Sequence, residues 1–184
     1  GKRHGPAKSW HINGQVCDRS LFYKGEIDGR YRTHYDNGQI REDSNWIRGD
    51  LNGPSKCWYK NGQIREDSNH VKGKHHGKYT SWYENGQIQE ECIYDQGKHE
   101  GLFTYYYENG NIKRQCGFLN GKYHGRYISF YENGQIQEET NYNKGSPDGK
   151  YTSWHENGRK RQENTLCNGL HVGLLRRWYS NGVQ

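Results

Sequence analysis

The sequence has no methionine, only 3 prolines, and few aliphatic side chains. Apolar residues make up 29% of its 184 positions, and the mean hydropathy is −1.37. With so little aliphatic material the chain cannot fill a deep globular core. Its longest apolar runs are a few residues, which excludes a transmembrane helix. The opening residues, GKRHGPAKSW, lack the apolar centre of a secretory signal. Since position 1 is not methionine, a processed or excised chain is expected. Paired cysteine motifs are missing too: Cys17, Cys57, Cys92, Cys116 and Cys167 form no CxxC. An odd, scattered set is not a disulfide framework and points to a reducing, intracellular setting.

Glycine and aromatic residues are abundant instead, with 25 glycines and 14% aromatics. Asn-Gly recurs from Asn13 through Asn37, Asn61, Asn85, Asn109, Asn133 and Asn157 to Asn181, at intervals of 24 residues throughout. Two further glycine series keep step, beginning at Gly1 and Gly5. The chain is therefore one repeat array: 1–24, 25–48, 49–72, 73–96, 97–120, 121–144, 145–168 and a partial copy, 169–184. Each unit is short, so burial must come from large rings packed against neighbouring units.

Asn-Gly between β-prone residues predicts a two-residue hairpin turn with both residues at positive φ. In the fourth repeat the strands are then Lys78–Tyr83 and Gln87–Tyr94, and the xxGKxHG stretch turns the chain into the next hairpin. That turn sets Tyr83 opposite Ile88, Ser81 opposite Glu90 and Tyr79 opposite Cys92 on one face, taken as the packed side. Trp82 opposite Gln89 and Thr80 opposite Glu91 share the other. The predicted fold is all-β: an elongated, twisted antiparallel meander of tandem 24-residue β-hairpin repeats. A stacked solenoid is the rival. In the meander, equivalent positions lie two strands, about 9–10 Å, apart.

The second face carries a row of single rings, Trp10, Trp58, Trp82, Tyr106, Phe130, Trp154 and Trp178, interrupted by His34. The assumed turn puts Trp58 opposite Arg65, Tyr106 opposite Lys113 and Trp154 opposite Arg161, so cation–π cover accounts for these rings structurally. The same row, at Trp58, Trp82, Tyr106, Trp154 and Trp178, is the candidate binding surface. Histidines His4, His75, His76, His99, His124 and His171 are read as turn residues, not as a metal site. Glu42, Glu66, Glu90 and Glu138 are read as a structural ladder. The stretch GNIKRQCG at 110–117 precedes no helix, so it is not a phosphate loop.

The motifs YDNGQIRED at 35–43, GKHHGKYTSWYENG at 73–86 and YENGQIQEE at 83–91 and 131–139 resemble the MORN-repeat variant family, over the whole chain. The family includes bacterial proteins labelled antitoxins of the YwqK type. The resemblance implies a curved hairpin sheet serving as a scaffold or binding module, and it brings no catalytic residues. The first repeat departs most, at Pro6, Ala7, Ile12 and Val16, and the seventh replaces the usual isoleucine by Lys160.

These readings converge on a non-enzymatic scaffold with no cofactor, metal or catalytic residues and with a protein partner. Contacts through the edge strands at both ends of the array are also expected. The alternatives are an antitoxin-like protein, a carbohydrate or cell-wall binding module, and a binder of anionic lipid through the net charge of +6. Nucleic acid ranks low, because Asp43, Asp67, Glu91, Glu139 and Glu163 share the tryptophan face.

Overall fold

A computed structural model describes all residues, 1–184. It contains 18 strands and no helix. The chain divides into two compact units, 1–88 with 94–97, and 89–93 with 98–184. In each unit the strands run antiparallel to their neighbours in the chain, for example Gly29–His34 with Ile40–Ile47 in the first and Lys98–Tyr106 with Ile112–Leu119 in the second. The fold is thus the antiparallel meander of hairpins, and each hairpin is one 24-residue repeat.

The two kinds of turn exchange the roles the sequence suggests. None of the asparagines in the eight Asn-Gly loops spaced 24 residues apart has a positive φ; only their glycines do. At Tyr35-Asp36-Asn37-Gly38-Gln39 the Gly38 amide donates to the Tyr35 carbonyl (2.9 Å), and the Tyr35 amide donates to the Gln39 carbonyl (2.8 Å). This is a three-residue loop that ends in a left-handed glycine. The Asn37 side chain folds inward and accepts from the Gln39 amide at 3.1 Å. That local bond holds the asparagine out of the conformation a two-residue turn would need.

The tight two-residue turns lie at the opposite end, at Lys24-Gly25, Arg48-Gly49, Lys72-Gly73, Gln96-Gly97 and their equivalents. Both residues are at positive φ there, for example 50° at Lys72 and 75° at Gly73. Within the xxGKxHG stretch the turn is thus confined to its x-Gly pair, as at Lys72-Gly73, and the residues that follow are mostly strand. In the fifth and sixth repeats they begin continuous strands, Lys98–Tyr106 and Lys122–Phe130.

The three-residue loop has a consequence for register. Tyr105 pairs with Arg114, as the two-residue turn would also predict, but Tyr106 pairs with Ile112, so Lys113 is a bulged residue. The same shift sets Trp58 opposite Ile64, Phe130 opposite Ile136 and Trp154 opposite Lys160. The opposition of Trp58 to Arg65, Tyr106 to Lys113 and Trp154 to Arg161 is therefore incorrect. Beyond the bulge the predicted register holds: Glu42 faces Thr33, Glu66 faces Cys57 and Glu138 faces Ser129.

The packed face is the one expected, with a modified inventory. Its centre is a column of small buried side chains, including Ser44 at 1% and Cys116 at 1% exposure. Rings stand beside that column. In the first unit His75 stacks on Tyr94 (4.9 Å between centroids) and meets the edge of Tyr79 (5.4 Å). In the second unit His99 stands in the same relation to Phe118 (4.9 Å) and Phe103 (5.4 Å). His75 and His99 are therefore strand residues in an aromatic pile, not turn residues.

Candidate functional site

Each ring of the tryptophan face is placed by the bulge. Because the residue after the recurring isoleucine is bulged, it joins the packed face. Ser129 Oγ donates to Gln137 Oε1 at 3.2 Å, Gln89 Nε2 donates to Tyr105 OH at 3.4 Å, and Lys113 Nζ lies 5.6 Å over the Tyr105 ring. Arg65 likewise reaches Cys57. The isoleucine itself moves to the tryptophan face, across from the ring. Trp58 against Ile64 is thus an apolar pair, and Lys160 in the seventh repeat sits beside Trp154, not on the packed side.

In the first unit the face carries Trp10, His34, Trp58 and Trp82, with Trp10 58% exposed and the other three half-buried. Trp58 lines an open groove with Arg30, Asp43, Asn45, Pro54 and Lys56. In the second unit Tyr106, Phe130, Trp154 and Trp178 are half-buried. Tyr106 OH donates to Glu91 Oε2 at 3.1 Å, Lys160 Nζ lies 5.8 Å over Trp178, and Trp178 borders a hollow with His155, Arg161, Gln162, Arg177 and Tyr179.

Beside the rings runs a charged row that register alone creates. Lys8 pairs with Arg19, Arg19 with Arg32, Arg32 with Asp43, Asp43 with Lys56, and Lys56 with Asp67. Asp43 takes both Arg30 (2.5 Å) and Arg32 (2.6 Å), and Lys56 meets Asp67 at 2.9 Å. The hydrogen bond from Arg30 holds the Asp43 carboxyl below the usual carboxylate range, against its partial burial. The Lys8–Arg19–Arg32 end is three adjacent cations, of which Asp43 compensates Arg32, and Lys8 opposite Arg19 is a like-charge pair that an anion lying over it would stabilise. These cations were missed in the sequence because they are far apart along it; only the cross-strand register reveals them as neighbours.

On the packed face the glutamates accept from their own strand or from the next one. Ser44 Oγ donates to Glu42 (2.8 Å), Ser68 Oγ donates to Glu66 (3.0 Å), and Tyr151 OH donates to Glu138 (3.0 Å). Burial pushes the Cys116 thiol up to about 11, so it is protonated at neutral pH, and burial with Glu138 nearby pushes the Tyr127 phenol up to about 12. No three histidine, cysteine or acidic side chains converge as a set of metal ligands.

The MORN repeat variant family matches this chain at residues 27–47, 51–72, 76–96, 100–120 and 123–144, more than half of its length. The chain belongs to that family. Hairpins of the same register extend beyond the matched segments, at Gly5–Trp10 with Val16–Tyr23 and at Gly149–Trp154 with Lys160–Cys167. No curated protein matches the chain.

Successive repeats are also fastened together. Tyr35 OH donates to the Trp58 carbonyl (2.8 Å) and Tyr59 OH to the Trp82 carbonyl (2.7 Å). In the second unit Tyr107 and Tyr131 make the same bond to Phe130 and Trp154. His155 Nε2 takes the tyrosine's place at 2.9 Å from the Trp178 carbonyl. Each bond pins the main chain of a ring on the candidate surface.

Proposed function

We propose that the chain is a non-enzymatic scaffold that binds a protein partner through the tryptophan face. The observation that supports this is the fastening of the carbonyls of Trp58 and Trp82 in one unit, and of Phe130, Trp154 and Trp178 in the other, to the preceding repeat. Within each unit, rings at a fixed spacing give several weak, equivalent contacts whose effects multiply by effective concentration. Trp58, Trp82, Tyr106, Trp154 and Trp178 carry the contacts, and no cofactor, metal or catalytic group takes part. Replacing one ring by alanine weakens capture of the partner modestly. Replacing Trp58 and Trp82 together, or Trp154 and Trp178 together, weakens it by much more than either single change. The readout is binding of the full chain to whatever co-purifies with it, with circular dichroism as the folding control. Unchanged binding in both double variants would refute the reading.

A second reading is an anionic surface as partner, favoured by the Lys8–Arg19–Arg32 row. It predicts binding to vesicles containing an anionic lipid, absent with zwitterionic lipid and lost as salt rises. Arg19→Glu abolishes that binding if the reading is right.

A further inference from the structure

The eight Asn-Gly pairs that recur at 24-residue intervals, among eleven in the chain, carry a chemistry of their own. A glycine amide nitrogen, freed of its proton, can attack the Cγ of the preceding asparagine. The Cγ–N bond forms, the Cγ–Nδ2 bond breaks and ammonia leaves, giving a five-membered imide. Water then opens the imide at either carbonyl, leaving aspartate or isoaspartate. Glycine is the most permissive residue for the nucleophile's position because no side chain blocks the approach.

In this fold every participant in that reaction is held. The nucleophile is engaged: the amides of Gly38, Gly62, Gly110 and Gly134 donate to the tyrosine carbonyls that open their loops, at 2.9–3.0 Å. The side chain that carries the electrophile is fixed, since Asn37 Oδ1 accepts from the amide of Gln39, two residues on, at 3.1 Å, and Asn61, Asn109 and Asn133 repeat this at 2.9 Å. The leaving group is tied to the next hairpin. Asn37 Nδ2 donates to the Lys60 carbonyl (3.1 Å) and Asn61 Nδ2 to the Glu84 carbonyl (3.1 Å); in the second unit Asn133 Nδ2 donates to the Glu156 carbonyl (3.1 Å).

We propose that the Asn-Gly loops are imide-forming modification sites held silent by the stacking of each loop on the next, and that conversion of one loop releases its neighbour. The second half follows from the direction of the bond. An aspartate at position 37 has no Nδ2 to donate and sets a carboxylate against the Lys60 carbonyl. The loop that carries Asn61 then loses one of its anchors. Lys60 also meets Asp36 at 2.7 Å, so the same two loops share a second, charged link that remains. Damage therefore spreads to the adjacent loop and not along the whole array.

The test is a time course of the full chain at mildly alkaline pH, with peptide mapping by mass to follow ammonia loss and hydrolysis at each asparagine. The folded chain converts at Asn37, Asn61 and Asn133 at least about tenfold more slowly than the urea-unfolded chain, because a loop must open before it reacts. In folded Asn37→Asp, Asn61 converts several-fold faster than in the parent while Asn133 keeps its rate. Equal rates in the folded and unfolded parent chains overturn the silencing. An unchanged Asn61, or an Asn133 accelerated as much as Asn61, overturns the release by a neighbour.

Discussion

The hydroxyl of Tyr35 donates to the backbone carbonyl of Trp58, 23 residues further along the chain, at 2.8 Å. In a meander these residues are separated by two strand spacings, about 9.5 Å, a gap that a phenol spans and a shorter side chain does not. Tyr35→Phe keeps the ring and removes only this bond, which costs about 0.5–1.5 kcal/mol. Tyr59→Phe costs a similar amount, and the double variant shows their sum. Urea unfolding of the three variants measures it; a neutral Tyr35→Phe would mean that the ring alone does the fastening.

Leu102 and Phe103 are neighbours in the chain on opposite faces of one strand, 61% and 6% exposed. Phe103 stands among His99, Phe118 and Tyr105. Phe103→Ala therefore costs about 3–5 kcal/mol, whereas Leu102→Ala stays within about 0.5 kcal/mol. Thermal or urea unfolding of the pair compares the two faces directly, and similar losses would contradict the assignment of the packed side.

Lys72 is held at a φ of 50° in a tight turn, a conformation where asparagine is at home. The equivalent positions in two other repeats are already Asn120 and Asn168, at 53° and 49°. Lys72→Asn raises stability by up to about 1 kcal/mol, and Gly73→Ala, at a φ of 75°, lowers it by about 1–2 kcal/mol. Melting temperatures of the two variants, moving in opposite directions, are the check.

His70 is 6% exposed, its ring lies 4.1 Å from that of His75, and its Nδ1 has no hydrogen-bond partner. Burial, with His75 adding to it and Glu66 opposing, lowers its pKa. The folded state therefore favours the neutral ring. The stability this gives is complete above the ordinary histidine pKa of about 6.5 and declines as pH falls through and below it, until the lowered pKa is passed. Tyr94, Tyr142 and Phe118 occupy the equivalent place in other repeats, so His70→Tyr is an acceptable replacement. Unfolding free energy measured from neutral to acid pH falls less steeply in His70→Tyr than in the parent. Parallel curves would show that His70 does not titrate on unfolding.

The repeat, its length and the all-β meander were legible in the sequence because an interval of 24 with no insertion leaves little freedom in register. The faces were legible only in part. Tyr79 and Tyr94 do pack together, since strand alternation beyond the bulge follows the two-residue period. Near the loop the prediction failed for one reason. Asn85 can bond its own main chain, to the Gln87 amide at 2.9 Å, and that bond selects a longer loop than the dipeptide alone suggests. One extra residue then moved Arg65, Lys113 and Arg161 off the tryptophan face and brought Ile64, Ile112 and Lys160 onto it. The Lys8–Arg19–Arg32 row was invisible for a different reason: adjacency across strands depends on two successive turns, and an error in either one hides it.

The tight turns hold a further consequence, which concerns how such an array can change its length. Gly49 reaches back to the Ile27 carbonyl and Gly73 to that of Leu51, at 2.8 and 2.9 Å, so each turn is seated on the repeat before it by the same main-chain bond. A backbone bond does not depend on which side chains surround it, and whole units can therefore be removed or copied without disturbing the seat. Excising residues 49–72 would bring the strand that begins at Lys74 next to Ile40–Ile47, with Ser44 facing Tyr79 and Asp43 facing Thr80. The main chain would close as before, but Asp43 would lose Lys56 as its neighbour, and the trimmed array would keep its shape of hairpin while carrying a different pattern of charge. Genetic gain or loss of a unit is thus inexpensive to the fold and visible only to whatever reads the surface.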